Sequence, residues 1–241
     1  MPATPIKQSA LHHLHLAGRA RMADEAGWQL PAAYTSVDQE LEAVRRGVGL
    51  CDTSPLGKLD LRGDALAFLQ EVYPSGVPEV IGAMGRVTGP SGESLCSRLA
   101  GDHFYLITGR EEGGRRSGES SGASSDAVQK GLNGKLKGRE GEVHLIDMTS
   151  VFTAITIAGP RRRDLLYKAT GFNLSNFPDM ACAQTGVAGT YARLLHSRNA
   201  YHVHVSREFG EYIWEALMEA GDEFGVAPFG SEAWARLSAE G

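Results

Sequence analysis

Histidine is the residue type whose grouping in this chain could do chemistry. His12-His13-x-His15 lies near the start, and His202-x-His204 lies near the end with His196 upstream. Imidazoles at such spacings can bind zinc, but metal centres usually add carboxylate or thiolate ligands held on rigid elements. Neither group has that company, so no metal is expected. His202 and His204 share one face of an extended segment, and that face reads as solvated or substrate-facing. Cys51, Cys96 and Cys182 are odd in number and far apart. They fit neither a disulfide framework nor a zinc spacing, and none has an activating neighbour. Free thiols in a reducing cytoplasm are expected. The basic run Arg161-Arg162-Arg163 reads as the solvated start of a helix. No Gly-x-Ser-x-Gly elbow, His-Glu-x-x-His or dinucleotide fingerprint is present.

The chain as a whole narrows the classes further. Its 241 residues can bury a good core, as one large domain or two small lobes. With 24 basic and 29 acidic residues the net charge is -5, the wrong sign for a nucleic-acid footprint. No apolar run approaches the roughly 20 residues of a membrane span. The first residues lack the apolar core of a secretory signal, so none is expected.

The elements that must position any site follow from pattern. Ser36 caps a helix, with Gln39 as capping-box partner. Leu41, Val44 and Val48 give it a buried stripe. Residues 58–62 alternate polar and apolar, as a half-buried strand does. Gly63-Asp64 then leads to a helix burying Leu66, Leu69 and Val72. Residues 95–100 and 103–108 form a hairpin around Gly101-Asp102. Residues 109–125 hold only Ala123 as an apolar residue and are expected to be a flexible polar loop. Strands follow at 142–148 and 153–158, a helix at 161–170, a strand pair at 191–195 and 201–205, and a helix over 207–224 burying Phe209, Ile213, Leu217 and Trp214. A last helix begins at Ser231. The order strand, glycine turn, helix, strand pair occurs twice, at 59–69 and at 155–166. That repetition predicts an α+β fold of duplicated antiparallel sheets with packed helices, in lobes of roughly 1–108 and 140–241.

Seven segments resemble, in order, the folate-dependent aminomethyltransferases: the T-protein of glycine cleavage and the folate modules of sarcosine and dimethylglycine oxidases. They are His15 to Pro31 with Gly27-Trp28, Glu40 to Arg45, Asp52 to Lys58, Gly63-Asp64-Ala65 to Leu69, Asp147 to Leu166 with Gly159-Pro160-Arg161, Trp214 to Leu217, and Pro228-Phe229-Gly230. The resemblance implies duplicated ferredoxin-like sheets, tetrahydrofolate as cofactor and an amine-bearing one-carbon donor. In the family a β-barrel follows the point where this chain ends at Glu240-Gly241, so the folate module without its barrel is expected. The cysteine motif of the iron–sulfur-assembly branch is missing.

The resemblance also implies site residues. Glu93 matches the family's acid that holds the folate and positions the reacting amine. Leu56 stands where the family usually has a pocket-lining methionine, a volume-conserving exchange. Arg198 stands where a glutamate accepts two hydrogen bonds from the pterin ring. Arginine has donors and no acceptor, so it cannot make that contact. Ser238 replaces an arginine that pairs with a folate carboxylate. Two readings follow. One is an aminomethyltransferase-like enzyme with Glu93 as catalytic acid. The other is a non-catalytic module that partners a flavin amine oxidase or another protein. Neither calls for nucleic acid or a membrane.

Overall fold

The computed structural model describes residues 7–25, 27–90, 92–108, 125–139 and 141–240. In chain order these form β1 (Lys7–Gln8), α1 (His12–Ala17), β2 (Arg21–Glu25), β3 (Trp28–Ala33), α2 (Val37–Arg46), β4 (Val48–Asp52), β5 (Gly57–Gly63), α3 (Ala65–Val72), β6 (Met84–Gly89), β7 (Gly92–Ala100), β8 (His103–Thr108) and α4 (Ser125–Leu136). Then come β9 (Val143–Asp147), β10 (Phe152–Ala158), α5 (Arg162–Ala169), β11 (Ala181–Val187), β12 (Thr190–Ser197), β13 (Ala200–Ser206), α6 (Gly210–Gly221), β14 (Val226–Pro228) and α7 (Ser231–Leu237). No helix among the described residues is long and apolar enough to cross a membrane.

The fold is α+β, and its two compact units are built on one plan. The first unit holds residues 1–55, 150–179 and 184–241, and the second holds 56–149 and 180–183. The second unit's sheet runs β6-β7-β8-β5-β9, and the first unit's runs β11-β12-β13-β10-β4-β14. Each places a strand beside the last strand of a three-strand meander, with a helix between strand and meander. Each strand-to-helix turn needs a glycine for the same reason. Gly63 has φ 86° and Gly159 has φ 104°, left-handed conformations that favour glycine. A Cβ on Gly63 would fall on the Glu142 carbonyl, and one on Gly159 would meet the Val44 and Gly47 carbonyl oxygens.

The unit boundaries differ from lobes of 1–108 and 140–241, and strand pairing gives the reason. β4 directly precedes β5 in the chain but pairs with β10, Ile155 opposite Asp52. β9 directly precedes β10 but pairs with β5, Leu61 opposite Leu145. Each unit therefore draws one strand from the other's stretch of sequence.

Most expected elements are present. The Ser36 capping box closes with Gln39 N–H donating to Ser36 Oγ at 3.3 Å and Ser36 N–H to Gln39 Oε1 at 3.3 Å. Two details differ. Leu66 and Val72 are only partly buried, while Ala65, Phe68 and Leu69 fill the core. Phe209 is 43% exposed, because residues 207–209 form a separate 3-10 turn ahead of α6. The polar segment 109–125 lies outside the described residues except for Ser125, which begins α4.

Candidate functional site

Each main sheet has a polar face, and strand alternation decides what stands on it. In the second unit Leu59, Leu61, Cys96, Phe104 and Leu106 pack with Phe68 and Leu69 of α3 and with Val128, Leu132 and Leu136 of α4. The alternate residues of the same strands, Lys58, Asp60, Ser97, His103 and Tyr105, point to the opposite face, and all are buried. His103 Nε2 and Asp60 Oδ2 are 3.1 Å apart, with Arg62 at 3.9 Å from the same carboxylate oxygen. Lys58 Nζ donates to the Leu56 carbonyl at 2.8 Å. Its own N–H donates to Thr149 Oγ1 at 3.0 Å, and its carbonyl accepts from Met148 N–H at 2.7 Å.

Glu93 alternates with Leu95 and Ser97 and so stands on this same face. It is about half exposed, and Arg86 Nη1 donates to its Oε1 at 2.8 Å. The two are diagonal neighbours, since Arg86 faces Leu95 and Glu93 faces Thr88. Ile107 pairs with both Leu95 and Lys58, so Leu56, in the bend just before β5, lies toward the same end of the sheet as Glu93. Two inter-strand spacings, about 10 Å, separate their strands. Both residues lie toward one end of the second unit's sheet.

Arg198 belongs to the first unit. It occupies the two-residue turn between β12 and β13, with φ 41°, exposed, its N–H donating to the Asp179 carboxylate. Ser238, just past α7, is partly buried and donates to Ala235 O at 3.4 Å.

The first unit's polar face carries His202, His204, Thr156 and the buried Arg193, whose guanidinium lies 4.5 Å from the Phe152 ring centre. His202 is buried, with Thr156 Oγ1 at 2.9 Å from Nδ1 and Ser197 Oγ at 2.7 Å from Nε2. Thr156 is in turn 2.9 Å from Thr53 Oγ1. His204 is also buried, 1% exposed like His202. The solvated reading of this strand therefore gives way: α7 covers part of the face, with the Trp234 ring edge-on to His202 at 6.3 Å. His196 lies on the opposite face, stacked on Tyr201 at 4.2 Å, its Nδ1–H donating to the Pro178 carbonyl at 2.7 Å. Burial pushes His196 below the usual histidine range, and nearby Arg162 adds to this against the pull of Pro178 and Asp179. No cluster of three or more metal-ligating side chains occurs among the described residues. Cys51, Cys96 and Cys182 are free and buried.

A second buried network sits on that opposite face. His15 Nε2 lies 2.9 Å from Asp52 Oδ2, both side chains wholly buried, and the Tyr34 hydroxyl is 2.6 Å from His15 Nδ1. Asp52 Oδ1 accepts from Ser54 N–H at 2.9 Å, and Ser54 Oγ accepts from Ala154 N–H at 3.1 Å. Burial alone would raise Asp52, but hydrogen bonds and charge from His15, with Ser54 and Ser9, hold it below the usual carboxylate value. Burial raises Tyr34. Glu40 does similar work: its carboxylate accepts from Tyr34 N–H, from Thr35 N–H at 3.1 Å and from Gly230 N–H at 3.0 Å.

Sequence reasoning missed these partners. The alternation Lys58-Leu-Asp60-Leu-Arg62 announced the charged face, but nothing local joined Asp60 to His103 or His15 to Asp52.

Residues 11–241 match the GCVT N-terminal domain. The chain belongs to that family. It is 29% identical, over 98% of its length, to sarcosine oxidase subunit alpha from Corynebacterium sp. (strain U-96), covering 26% of that protein. It is 29% identical, over 93% of its length, to an aminomethyltransferase from Symbiobacterium thermophilum, covering 61% of it. The module therefore spans under two thirds of these relatives. Among solved structures, glycine cleavage system aminomethyltransferase T from Bartonella henselae shares the fold at TM-score 0.76 and 19% identity, over 95% of this chain and 61% of that one. A chain of heterotetrameric sarcosine oxidase from Corynebacterium sp. U-96 does so at TM-score 0.65 and 20% identity, over 92% of this chain and 97% of that one.

Proposed function

We propose that this GCVT module binds tetrahydrofolate on the charged face of its second unit and supports aminomethyl transfer, a one-carbon reaction. The observation that carries this reading is the family match across residues 11–241, shared with relatives named aminomethyltransferase. The face offers what the chemistry needs. Glu93 is the acid that holds the donor's amine, and Leu56 is the apolar wall at the same end of the sheet. Catalysis is then mainly positioning, with proton transfer at the Glu93 carboxylate. An ammonium group must displace Arg86 from Glu93 to bind there, and the pair is exposed enough to open at small cost. The three unpaired thiols fit a cytoplasmic protein.

Thermal denaturation with 5-formyltetrahydrofolate tests the reading. A ligand that binds only the folded state raises the melting temperature, by an amount that grows with its concentration. No rise at about 1 mM ligand, some hundredfold above a ~10 μM dissociation constant, would sink it.

A second reading rests on one observation: the chain covers nearly all of a module-length chain in heterotetrameric sarcosine oxidase. On this reading it is a non-catalytic subunit of a flavin amine oxidase. It predicts co-purification with such an enzyme and no folate-dependent shift.

A further inference from the structure

The second unit's sheet has two edges, and they are treated differently. Beyond β6 the chain covers its own edge: Gly76 lies against the Arg86 carbonyl, and Met84 N–H donates to Met180 O at 2.8 Å. Beyond β9 no described strand follows. The direction of its backbone groups can be read from two bonds. Met148 N–H donates inward to Lys58 O on β5 at 2.7 Å, while Val143 N–H donates to Arg139 O at 3.1 Å. Alternation then turns residues 144 and 146 toward β5 and residues 143, 145 and 147 outward. Among the described residues nothing pairs with the Val143 carbonyl, the Leu145 N–H and carbonyl, or the Asp147 N–H, which form a hydrogen-bonding row facing away from β5.

Beside that row is a groove of about 370 Å³, lined by Asn133 and Leu136 of α4 and by Val143 to Ile146 of β9. Leu145 is only partly buried against the core, and Ile146 is 49% exposed. The far wall is basic. Lys130 lies one turn before Asn133 on α4, and Lys137 lies in the turn directly after the helix's last residue, Leu136. Both are exposed, and neither enters an ion pair among the described residues.

We propose that the β9 edge with α4 is a docking site for an extended segment of a partner protein, with apolar side chains at alternate positions and carboxylates between them. The open row supplies strand pairing, the groove beside Leu145 receives the apolar side chains, and Lys130 and Lys137 select the acidic ones. A second copy of β9, Val-His-Leu-Ile-Asp, brings one carboxylate to two lysines and suits the site less well. The site shares no residue with Glu93, Leu56 or Arg198, so it stands whether or not folate binds.

The test uses the whole chain and a fluorescein-labelled peptide of alternating valine and aspartate, followed by anisotropy. Leu145→Pro removes one outward N–H at an edge position that tolerates proline. It should weaken binding about tenfold. K130E/K137E, a surface change that leaves the backbone intact, should weaken it by about tenfold or more and abolish its salt dependence. A melting temperature near that of the parent certifies each variant. Saturable binding lost in both variants supports the proposal. Equal binding by both variants, or no binding at about 1 mM peptide, overturns it. Self-association that Leu145→Pro abolishes also overturns it, by making a second copy the occupant.

Discussion

The two units share a topology but put different chemistry on their sheets. The first unit buries its polar groups in closed chains: Thr53–Thr156–His202–Ser197 on one face and Tyr34–His15–Asp52 on the other. Every link is short, and both nitrogens of His15 and of His202 are engaged. The second unit differs in having, besides buried Lys58 and the Asp60–His103 pair, a half-exposed Glu93–Arg86 pair at one end of its sheet. Closed buried chains specify a fold and cost much to break. A half-exposed ion pair costs little to open and leaves a carboxylate for a ligand. The same scaffold, duplicated, thus holds closed buried chains in one unit and an ion pair that opens cheaply in the other, and the proposed function places the chemistry at the latter.

Breaking Asp52 should have the largest effect. Asp52→Ala leaves His15 buried without its anion and should cost about 3–5 kcal/mol in urea denaturation. The same group sets an acid limit. Its folded-state pKa lies below the usual value, so its contribution is complete above about pH 4 and is lost as pH falls through the depressed value. Stability should therefore drop on acidification in the parent and drop less in Asp52→Asn. An equal acid dependence in both would remove Asp52 from the account.

His202→Ala ranks next. It strands the hydroxyls of Thr156 and Ser197 and should cost about 2–3 kcal/mol. A loss no larger than that of an exposed substitution would mean that water replaces the imidazole. In the second unit, Asp60→Asn keeps a hydrogen-bond acceptor for His103 and should cost about 1–2 kcal/mol, less than either change in the first unit. A larger loss would erase the contrast between the units. Glu93→Gln should be smallest, about 1 kcal/mol or less, because exposed pairs contribute little.

How much of this the sequence disclosed follows from the range of each interaction. Strands and helices were legible because alternation and capping are local: the Ser36–Gln39 box and the 58–62 strand are visible within a few residues. The exchange of β4 and β9 was not, since nothing within Val48–Asp52 says that its partner is a strand a hundred residues on. The family segments were legible, and the structure shows why they hold together. Glu40 from one segment accepts from Gly230 of another, and His15 from a third meets Asp52 of a fourth. These are scaffold contacts. Helix α4 was missed because its sequence, with Gly131 and Gly134 and a weak apolar stripe, borders a polar segment that reads as loop. The histidines misled because a two-residue spacing fixes a face but not what covers it, and Trp234 of α7 covers His202.

The most direct test measures affinity for 5-formyltetrahydrofolate by calorimetry in the parent, Glu93→Gln and His202→Ala, at a temperature where all three are folded. Glu93→Gln should lose about tenfold or more in affinity with an unchanged melting temperature. His202→Ala should instead show near-parent affinity with a lowered melting temperature. Unchanged affinity in Glu93→Gln together with a large loss in His202→Ala would contradict the proposed role of Glu93.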